Sequence, residues 1–462
     1  MSNPDEYDLV VLGSGEAGKY LAWTIASQGK RVAVVEQRYI GGSCPNIACL
    51  PSKNVIHSAK IASYLRRGAE FGVASAAGPV DMATVRDRKR KMVDGLIAVH
   101  LHKYRASGAE LVMGKGTFVA PKTIEVSLAD GGTRTLRGEN VVVCTGSRAR
   151  IDDTPGLKEA CPLTHVEALE LDLVPKHLIV LGGGYIGLEM AQAFRRLGSR
   201  VTVVERNGAL IHREDPDVTT ALGDLFRDEG IEVSTSTTLT RVDGTSGGTV
   251  QLHGTHGGAA VVIEGTHLLV AGGRTPNTGG IGLEKAGVEL GAQGHVKVNE
   301  RLQTTAPGVW AVGDCAGSPH FTHIAYDDFR VVRDNLAGRN RVTTGRQIPF
   351  CLFTDPELAR VGLSEREAQE KGIPYRLAKI PMEHVLRTRT LSETRGFLKA
   401  LVAADDRILG FTAFGVEAGE VMAIVQVAMA AGMPYTGLRD AVLTHPTMAE
   451  GLTVLFSTVL DK

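Results

Sequence analysis

The chain lacks the features that mark several other protein classes. Six cysteines in 462 residues are too few for a disulfide scaffold, and aromatic residues make up only 5% of the chain. No apolar run reaches the 18 or so residues of a membrane span, so we expect no membrane insertion. Lys plus Arg and Asp plus Glu both number 51. This zero net charge argues against a nucleic-acid-binding protein.

The first residues, MSNPDEYDLVVLG, are acidic where a secretory signal would be basic, and their apolar run is short. We therefore expect a cytoplasmic protein whose ordinary thiols stay reduced. What the chain has in excess is glycine, because 55 of 462 residues is about 12%, against an ordinary share of about 7%. The length predicts about three domains.

A dinucleotide-binding pattern begins near the N-terminus. An apolar run at 9–12 leads into G-x-G-x-x-G at 13–18, and a helical stretch and a second strand follow, ending in Glu36. In such a pattern the first glycine makes a tight turn and the second admits a pyrophosphate. The third lets the helix pack on the strand, and the acid accepts hydrogen bonds from a ribose.

The same pattern recurs downstream. The apolar run 178–181 leads into GGGYIG at 182–187, and the strand after the next helix ends in Glu205. The acid follows the first glycine by 23 positions in both copies (36 − 13 and 205 − 182). Two plain strand-to-helix turns would leave both acids unexplained. Two dinucleotides bound by one chain indicate electron transfer between a nicotinamide and a flavin.

A cysteine pair lies between the two patterns, in GGSCPNIACLPSK at 41–53. On a regular helix, Cys44 and Cys49 would be about 7.5 Å apart along the axis and point about 140° away from each other. A disulfide needs converging side chains, so the spacing predicts a helix start or a distorted turn. We expect Pro45 at the first helical position and Pro51 to disturb the helix beside Cys49.

Two buried, inert cysteines are the alternative interpretation. The spacing, the two prolines and the position directly after a flavin-type pattern favour a redox-active disulfide instead. A thiol near a helix N-terminus has a lowered pKa, which favours the reactive thiolate.

These motifs resemble the flavin-dependent pyridine nucleotide–disulfide oxidoreductases, a family that includes dihydrolipoamide dehydrogenase, glutathione reductase and mercuric reductase. The resemblance covers nearly the whole chain. It continues, in the family's order, through GKGTF at 114–118, VVVCTGSRAR at 141–150, AGGRTPN at 271–277, VWAVGDCAG at 309–317, FTDPELARVGLSE at 353–365 and HPTMAEGL at 445–452.

The resemblance implies an α/β fold class with two Rossmann-like domains, the second inserted in the first, and a C-terminal α+β dimerisation domain. The FAD-binding domain would comprise residues 1–150 and 276–345. The NAD(P)-binding domain would comprise 151–275, and the dimerisation domain 346–462. The protein would be a homodimer.

The resemblance also implies the residues that hold the two cofactors. The FAD contacts would be Gly13, Ser14, Gly15, Gly18, Glu36, Gly42, Ser43, Lys53, Gly116, Thr145, Gly146 and Asp314. The NAD(P) contacts would be Gly182, Gly184, Tyr185, Gly187, Glu205 and Gly273. Lys53 would pair with Glu189 beside the reactive flavin nitrogen, and Tyr185 would cover the nicotinamide pocket until the nucleotide binds. No metal site is expected.

The mechanism implied by the resemblance runs from nicotinamide to FAD and then to a Cys44–Cys49 disulfide. Cys49 would remain as the thiolate against the flavin, while Cys44 would attack an external acceptor. His445, oriented by Glu450, would give the leaving thiol a proton from across the dimer interface.

Several positions depart from the family pattern. Pro45 and Ala48 stand where the usual members carry Val and Gly, and Leu443 replaces a second histidine that disulfide reductases commonly show. The segment FTHIAYDDFR at 321–330 is closer to mercuric-reductase-like and reactive-chlorine-resistance flavoproteins. A mercuric reductase is expected to carry a C-terminal cysteine pair, and no cysteine follows Cys351 here.

The sequence therefore predicts an FAD-dependent oxidoreductase that passes electrons from NAD(P)H to a disulfide or another small acceptor. The alternatives are a mercuric-reductase-like reductase of metal ions or electrophiles in stress defence, and a dihydrolipoamide dehydrogenase subunit of a larger complex. Glu205 favours the free ribose diol of NADH over NADPH, although Arg206 beside it would suit a 2′-phosphate.

Overall fold

The computed structural model describes residues 3–75 and 78–460 of the chain. The first 150 residues form a βαβ unit, a long helical pair and a meander. Their elements are β1 (Asp5–Leu12), α1 (Glu16–Ala26), β2 (Val32–Glu36), α2 (Ser43–Asn46), α3 (Cys49–Arg66), α4 (Met82–Ser107), β3 (Glu110–Ala120), β4 (Thr123–Leu128), β5 (Thr133–Val143) and β6 (Ser147–Ala149).

We call the two glycine-rich patterns, residues 13–18 and 182–187, the first and second fingerprints. The first sheet is parallel around the first fingerprint, with neighbours in the order β3-β2-β1-β5. Valine-rich strands such as β1 and β2 suit this position because a parallel sheet is covered on both faces. Val10, Val11 and Val34 are accordingly fully buried. The second half of β3 and the first half of β5 pair antiparallel with β4, which belongs to the same sheet.

The second unit repeats the parallel βαβ arrangement of the first. Its elements are α5 (His165–Ala168), β7 (His177–Leu181), α6 (Tyr185–Leu197), β8 (Arg200–Val204), α7 (Pro216–Asp228), β9 (Glu232–Ser234), β10 (Thr237–Gly244), β11 (Val250–His256), β12 (Ala259–Gly265) and β13 (His267–Val270). The order β13-β7-β8-β9 is parallel throughout, and β10, β11 and β12 form an antiparallel meander.

The chain then returns to the first sheet. It runs through β14 (Arg274–Pro276), β15 (Val309–Ala311) and α8 (Thr322–Leu336), and β15 pairs parallel with β5. The second unit is therefore inserted in the first, as predicted. The two connecting segments form a short antiparallel ladder between β6 and β14. The predicted domain boundaries at 150 and 275 fall beside this ladder and stay predictions.

The last segment forms an α+β unit. It contains β16 (Phe350–Leu352), β17 (Glu357–Gly362), α9 (Glu365–Glu370), β18 (Arg376–Pro381), α10 (Leu386–Leu391), β19 (Phe397–Val402), β20 (Ile408–Gly415), α11 (Ala418–Ala430), α12 (Tyr435–Arg439) and α13 (Gly451–Ser457). The five strands are antiparallel in the order β16-β17-β20-β19-β18. Phe411 and Ala413 of β20 belong to a buried apolar cluster with Val425 of α11 and Leu455 of α13.

Candidate active site

Strand register brings the predicted FAD contacts together at one edge of the first sheet. Leu12 is aligned with Val35 and Val143, and Val143 is aligned with Ala311. The residues that follow these strands therefore share the edge where ligands of parallel sheets bind. Those residues are Gly13 after β1, Glu36 at the end of β2, Thr145 and Gly146 after β5, and Asp314 after β15.

The first fingerprint turn requires glycine for two separate reasons. Gly13 has φ +101°, and a Cβ there would lie 2.4 Å from the carbonyl oxygen of Cys144. A Cβ on Gly18 would lie 2.5 Å from the carbonyl oxygen of Gly13. The second copy repeats the close approach, because a Cβ on Gly187 would lie 2.1 Å from the carbonyl oxygen of Gly182.

The acid of each copy is held by the amide of the residue after the first glycine. Glu36 Oε2 accepts hydrogen bonds from the backbone amide (2.9 Å) and hydroxyl (2.7 Å) of Ser14. Glu205 Oε2 accepts from the amide of Gly183 at 2.7 Å, and its Oε1 from the amide of Asn207 at 2.8 Å. The two copies thus share geometry as well as spacing.

The helices that follow the two glycine-rich patterns, α1 and α6, both begin with backbone amides that no side chain caps. The N-cap residues of α1 and α6 are Gly15 and Gly184, and neither helix start has a side-chain cap. In contrast, the side chain of Asp81 caps α4. Uncapped helix N-termini attract phosphate groups, because their amides are unpaired and the helix dipole is positive there. The residues present therefore fit the pyrophosphates of FAD and of a nicotinamide dinucleotide.

The remaining predicted FAD contacts have varied surroundings. The Asp314 carboxylate accepts a hydrogen bond from the Ser147 hydroxyl and lies 3.5 Å from the Arg274 guanidinium. Gly42 has φ +82°, and a Cβ there would lie 2.6 Å from Gly15 Cα, while Ser43 begins α2. A Cβ on Gly116 would lie 2.6 Å from a Leu12 methyl group, so this glycine is needed for packing. Its predicted place beside the adenine stays a prediction.

The cysteine pair lies across a break between two helices. Cys44 is in α2, and Cys49 is the first residue of α3, after Ala48 with φ −129° and ψ −104°. The sequence predicted a helix start or a distorted turn at this pair, and the structure has a helix start at Cys49. Two other expectations were wrong, namely that Pro45 takes the first helical position and that Pro51 disturbs the helix beside Cys49. Pro45 is the third residue of α2, and Pro51 lies in the first turn of α3, where a missing N–H leaves no bond unmade.

The interaction between the two thiols shifts the pKa of each in opposite directions. The pKa of Cys49 is lowered to about 6, chiefly because Cys44 donates to it, with help from the Thr322 hydroxyl and the Lys53 charge. The pKa of Cys44 is raised by the same hydrogen bond and by burial. Cys49 is therefore the thiolate of the pair, and Cys44 keeps the proton.

Lys53 and Glu189 form an ion pair next to this thiolate. Lys53 Nζ lies 2.7 Å from Glu189 Oε2, and the other carboxylate oxygen accepts a hydrogen bond from the amide of Phe353 at 3.0 Å. The Lys53 ammonium also lies 4.5 Å from the centre of the Phe353 ring. Since α3 carries both Cys49 and Lys53, the thiolate and the cation are held by one rigid helix. The role of this pair beside a flavin stays a prediction.

Tyr185 is the first residue of α6 and lies among other rings. Its ring centre is 5.4 Å from that of Phe350 and 6.3 Å from that of Phe321, both near edge-to-face. Burial raises its pKa, so the phenol is neutral. Gly273, another predicted nucleotide contact, follows β13 with φ +136°.

The predicted His445–Glu450 pair is formed near the C-terminus. His445 Nδ1 lies 2.8 Å from Glu450 Oε2, and the histidine side chain is 64% exposed. A carboxylate on Nδ1 leaves Nε2 as the atom that can exchange a proton outward. The catalytic role of the pair stays a prediction.

Two residues near the site were missed by sequence reasoning. The Thr322 hydroxyl lies 3.3 Å from Cys49 Sγ, although the two are 273 positions apart. The His100 ring covers Gly41, where a Cβ would lie 2.4 Å from the imidazole nitrogen Nδ1. Burial lowers the pKa of His100 to about 4, so this imidazole is neutral. The only signal for Thr322 was its place in the unusual segment 321–330.

One group of acidic side chains in the described part of the chain converges as metal ligands do. It consists of Asp215, Asp217 and Glu365. The ammonium of Lys399 lies 2.7, 2.9 and 2.9 Å from these three carboxylates, and its side chain is fully buried. The lysine therefore already supplies the positive charge at this cluster.

The fold and site define an oxidoreductase in which two dinucleotide-binding units meet at a pair of cysteines. A family model described as pyridine nucleotide-disulphide oxidoreductase matches residues 7–328, and one described as its dimerisation domain matches 348–455. The chain belongs to this family. It is a flavoprotein disulfide reductase that depends on FAD and a pyridine nucleotide, and the second domain supports a homodimer.

Known proteins resemble the chain over nearly its full length. It is 34% identical to the probable pyridine nucleotide-disulfide oxidoreductase RclA of Escherichia coli, covering 98% of this chain and 100% of the relative. It is 35% identical to a mercuric reductase of Streptomyces lividans, covering 98% and 96%. A Cu(II) complex of the HOCl-induced flavoprotein disulfide reductase RclA of Escherichia coli superimposes with a TM-score of 0.90 at 34% identity, covering 99% and 100% of the two chains.

No helix in residues 3–75 and 78–460 combines the length and the apolar character needed to cross a bilayer.

Proposed function

We propose that the protein carries electrons from NADH through the Cys44–Cys49 pair to a small disulfide. The observation that carries this proposal is the placement of Cys49 at the start of α3, with the Thr322 hydroxyl 3.3 Å from its sulfur and Lys53 one turn further along the helix. This environment lowers the pKa of Cys49 and makes it the thiolate of the pair. FAD, when bound, supplies the two-electron relay between the nicotinamide and the sulfurs.

The roles of the two sulfurs follow from their electrostatics. Lys53, the Thr322 hydroxyl and the Cys44 thiol all stabilise negative charge on Cys49. Cys44 keeps its proton because its hydrogen bond to Cys49 and its burial raise its pKa, and it attacks an acceptor once it loses that proton. The attack forms a mixed disulfide with Cys44. Cys49 then displaces the second half of the acceptor and closes the Cys44–Cys49 disulfide.

The His445–Glu450 pair is the proposed proton donor to the leaving thiol. Its support is the carboxylate on Nδ1 and the exposed imidazole, which suits a group that acts in the site of a partner subunit. The test mixes two inactive variants, Cys44→Ser and His445→Ala, under conditions that allow subunits to exchange. Recovered turnover supports action across the interface. If every mixture stays inactive, His445 serves its own subunit.

NADH is the proposed nucleotide. Backbone amides of Gly183 and Asn207 hold both Glu205 oxygens, so the carboxylate stays where a 2′-phosphate would be repelled. Arg206, the residue directly after Glu205, is exposed. The cytoplasm is the proposed compartment, because six cysteines in 462 residues do not form a disulfide scaffold.

The decisive experiment measures steady-state NADH oxidation with a panel of acceptors that includes lipoamide and glutathione disulfide. We expect Cys44→Ser to lose turnover with the preferred disulfide. Cys161→Ser is the matched control, because Cys161 is an exposed free cysteine in the second unit. Full activity of Cys44→Ser on the preferred acceptor would show the dithiol mechanism to be wrong.

A second candidate acceptor is a soft metal ion. It is favoured by the names of the relatives, which include a mercuric reductase and a Cu(II) complex of RclA. A vicinal dithiol with one thiolate is a suitable ligand pair for such ions. Including Hg(II) and Cu(II) in the same panel separates the two candidates, because each predicts a different preferred acceptor.

A further inference from the structure

The ring of Tyr185 is held by residues from two other parts of the chain. Phe350, on β16, contacts it edge-to-face at a centroid distance of 5.4 Å and an interplanar angle of 72°. Phe321, just before α8, contacts it at 6.3 Å and 80°. Such edge-to-face geometry is the favourable one for aromatic pairs. The place of Tyr185 is therefore set from outside the nucleotide-binding unit.

Phe350 is itself fixed by a cross-strand neighbour. The antiparallel register of β16 and β17 sets Phe350 directly opposite Arg360. The guanidinium carbon lies 5.0 Å from the ring centre, which is within range of a cation–π contact. The Arg360 side chain is 12% exposed and forms ion pairs with Glu214 at 3.0 Å and Glu367 at 2.7 Å.

Glu214 connects this arrangement back to the second fingerprint. Its amide donates to the carbonyl of Ile211 at 2.9 Å, and the amide of Ile211 donates to the carbonyl of Gly183 at 2.9 Å. The Glu214 side chain is only 4% exposed, so its ion pair with Arg360 is shielded from water. Arg360 therefore fixes the Phe350 ring relative to the turn from which α6 and Tyr185 begin.

We propose that Phe350, backed by Arg360, is a positioning residue that holds Tyr185 in the place where its ring contacts Phe350. This inference rests on the proposed function and on the prediction that Tyr185 covers the nicotinamide pocket until the nucleotide binds. A nucleotide that displaces Tyr185 must break the contact with Phe350. Its apparent affinity is therefore lower than that of a site with Tyr185 already displaced.

The test measures NAD+ binding to the FAD-loaded protein by calorimetry. Phe350→Leu keeps an apolar side chain but loses the ring, and we expect it to bind NAD+ about two- to tenfold more tightly, the value of one aromatic pair. Arg360→Lys keeps the charge but loses the planar stacking group, so a smaller gain in the same direction is expected. Unchanged or weaker binding by Phe350→Leu overturns the proposal.

Phe397→Leu is the matched control. Phe397 lies in the same sheet, is 8% exposed against 7% for Phe350, and carries the Lys379 ammonium 4.4 Å from its ring centre. Its NAD+ affinity should equal that of the unchanged protein. A gain as large as that of Phe350→Leu would overturn the proposal, because loss of any ring in this sheet would then suffice.

The Tyr185→Ala variant serves as a second background, which tests whether Phe350 acts through Tyr185. In Tyr185→Ala, the further change Phe350→Leu should leave NAD+ affinity unchanged, because the contact it removes is already absent. An undiminished effect in that background overturns the inference while leaving the proposed function intact. Failure of the unchanged protein to bind NAD+ at all would instead refute the proposed nicotinamide site.

Discussion

Thr322→Val should raise the pKa of Cys49, because it removes a hydroxyl 3.3 Å from the thiolate sulfur while keeping the side-chain shape. A hydrogen bond to a charged group contributes about 1.5–3 kcal/mol. One pKa unit corresponds to about 1.36 kcal/mol, so a full-strength bond is equivalent to about one to two units. Sulfur is a weak acceptor, and we therefore expect the lower end.

A shift of about one unit would move the pKa of Cys49 from about 6 to roughly 7. At pH 7 the thiolate fraction would fall from about nine tenths to about one half. The remaining influences that lower this pKa are the Cys44 thiol and the Lys53 charge, and the substitution leaves both in place.

The assay follows the ultraviolet absorbance of the thiolate against pH in the reduced protein, with the curve of Cys49→Ser subtracted. Thr322→Ser is the control, because it keeps the hydroxyl and should keep the midpoint. The reasoning is refuted if Thr322→Val and Thr322→Ser titrate at the same pH, since the hydroxyl would then contribute nothing to the thiolate.

Three further predictions concern charged groups. Lys53→Met should leave Glu189 without its cation and raise the pKa of Cys49, so the same titration should move to higher pH; an unmoved curve would contradict the charge effect. Lys399→Met should destabilise the fold by about 3–5 kcal/mol in chemical unfolding, since it leaves three converging carboxylates without a cation. Divalent cations should restore part of that loss in Lys399→Met alone. Glu205→Ala should lower the ratio of kcat/KM for NADH to that for NADPH by about tenfold, the size of one lost charge–phosphate repulsion; an unchanged ratio would remove Glu205 from nucleotide choice.

The parts of the fold that depend on residues close together in the sequence were predictable. Each fingerprint is a contiguous stretch, so the strands before Gly13 and Gly182 and the acids Glu36 and Glu205 follow from local spacing. The helix start between the cysteines also followed from local geometry. Its details did not, because Ser43 rather than Pro45 begins the first turn, and the break falls at Ala48.

The contacts that sequence reasoning missed join distant positions. Thr322 reaches Cys49 only because α8 packs beside the cysteine helix start. Lys399 lies in a strand, and a strand lysine is ordinarily exposed. Here it is buried, because Asp215 just before α7, Asp217 of α7 and Glu365 of α9 approach it. The match of a lysine with three acids from other elements leaves no periodic or local pattern in the sequence.

The hydrogen bonds of Glu36 tie two stretches of backbone to one side chain. Its two oxygens accept hydrogen bonds from the amides of Ser14, Arg38 and Tyr39. A substitution that removes this carboxylate would therefore release the first glycine-rich turn and the segment after β2 together. An effect of Glu36→Ala on cofactor binding would then report on the position of the backbone as well as on the loss of the acid itself.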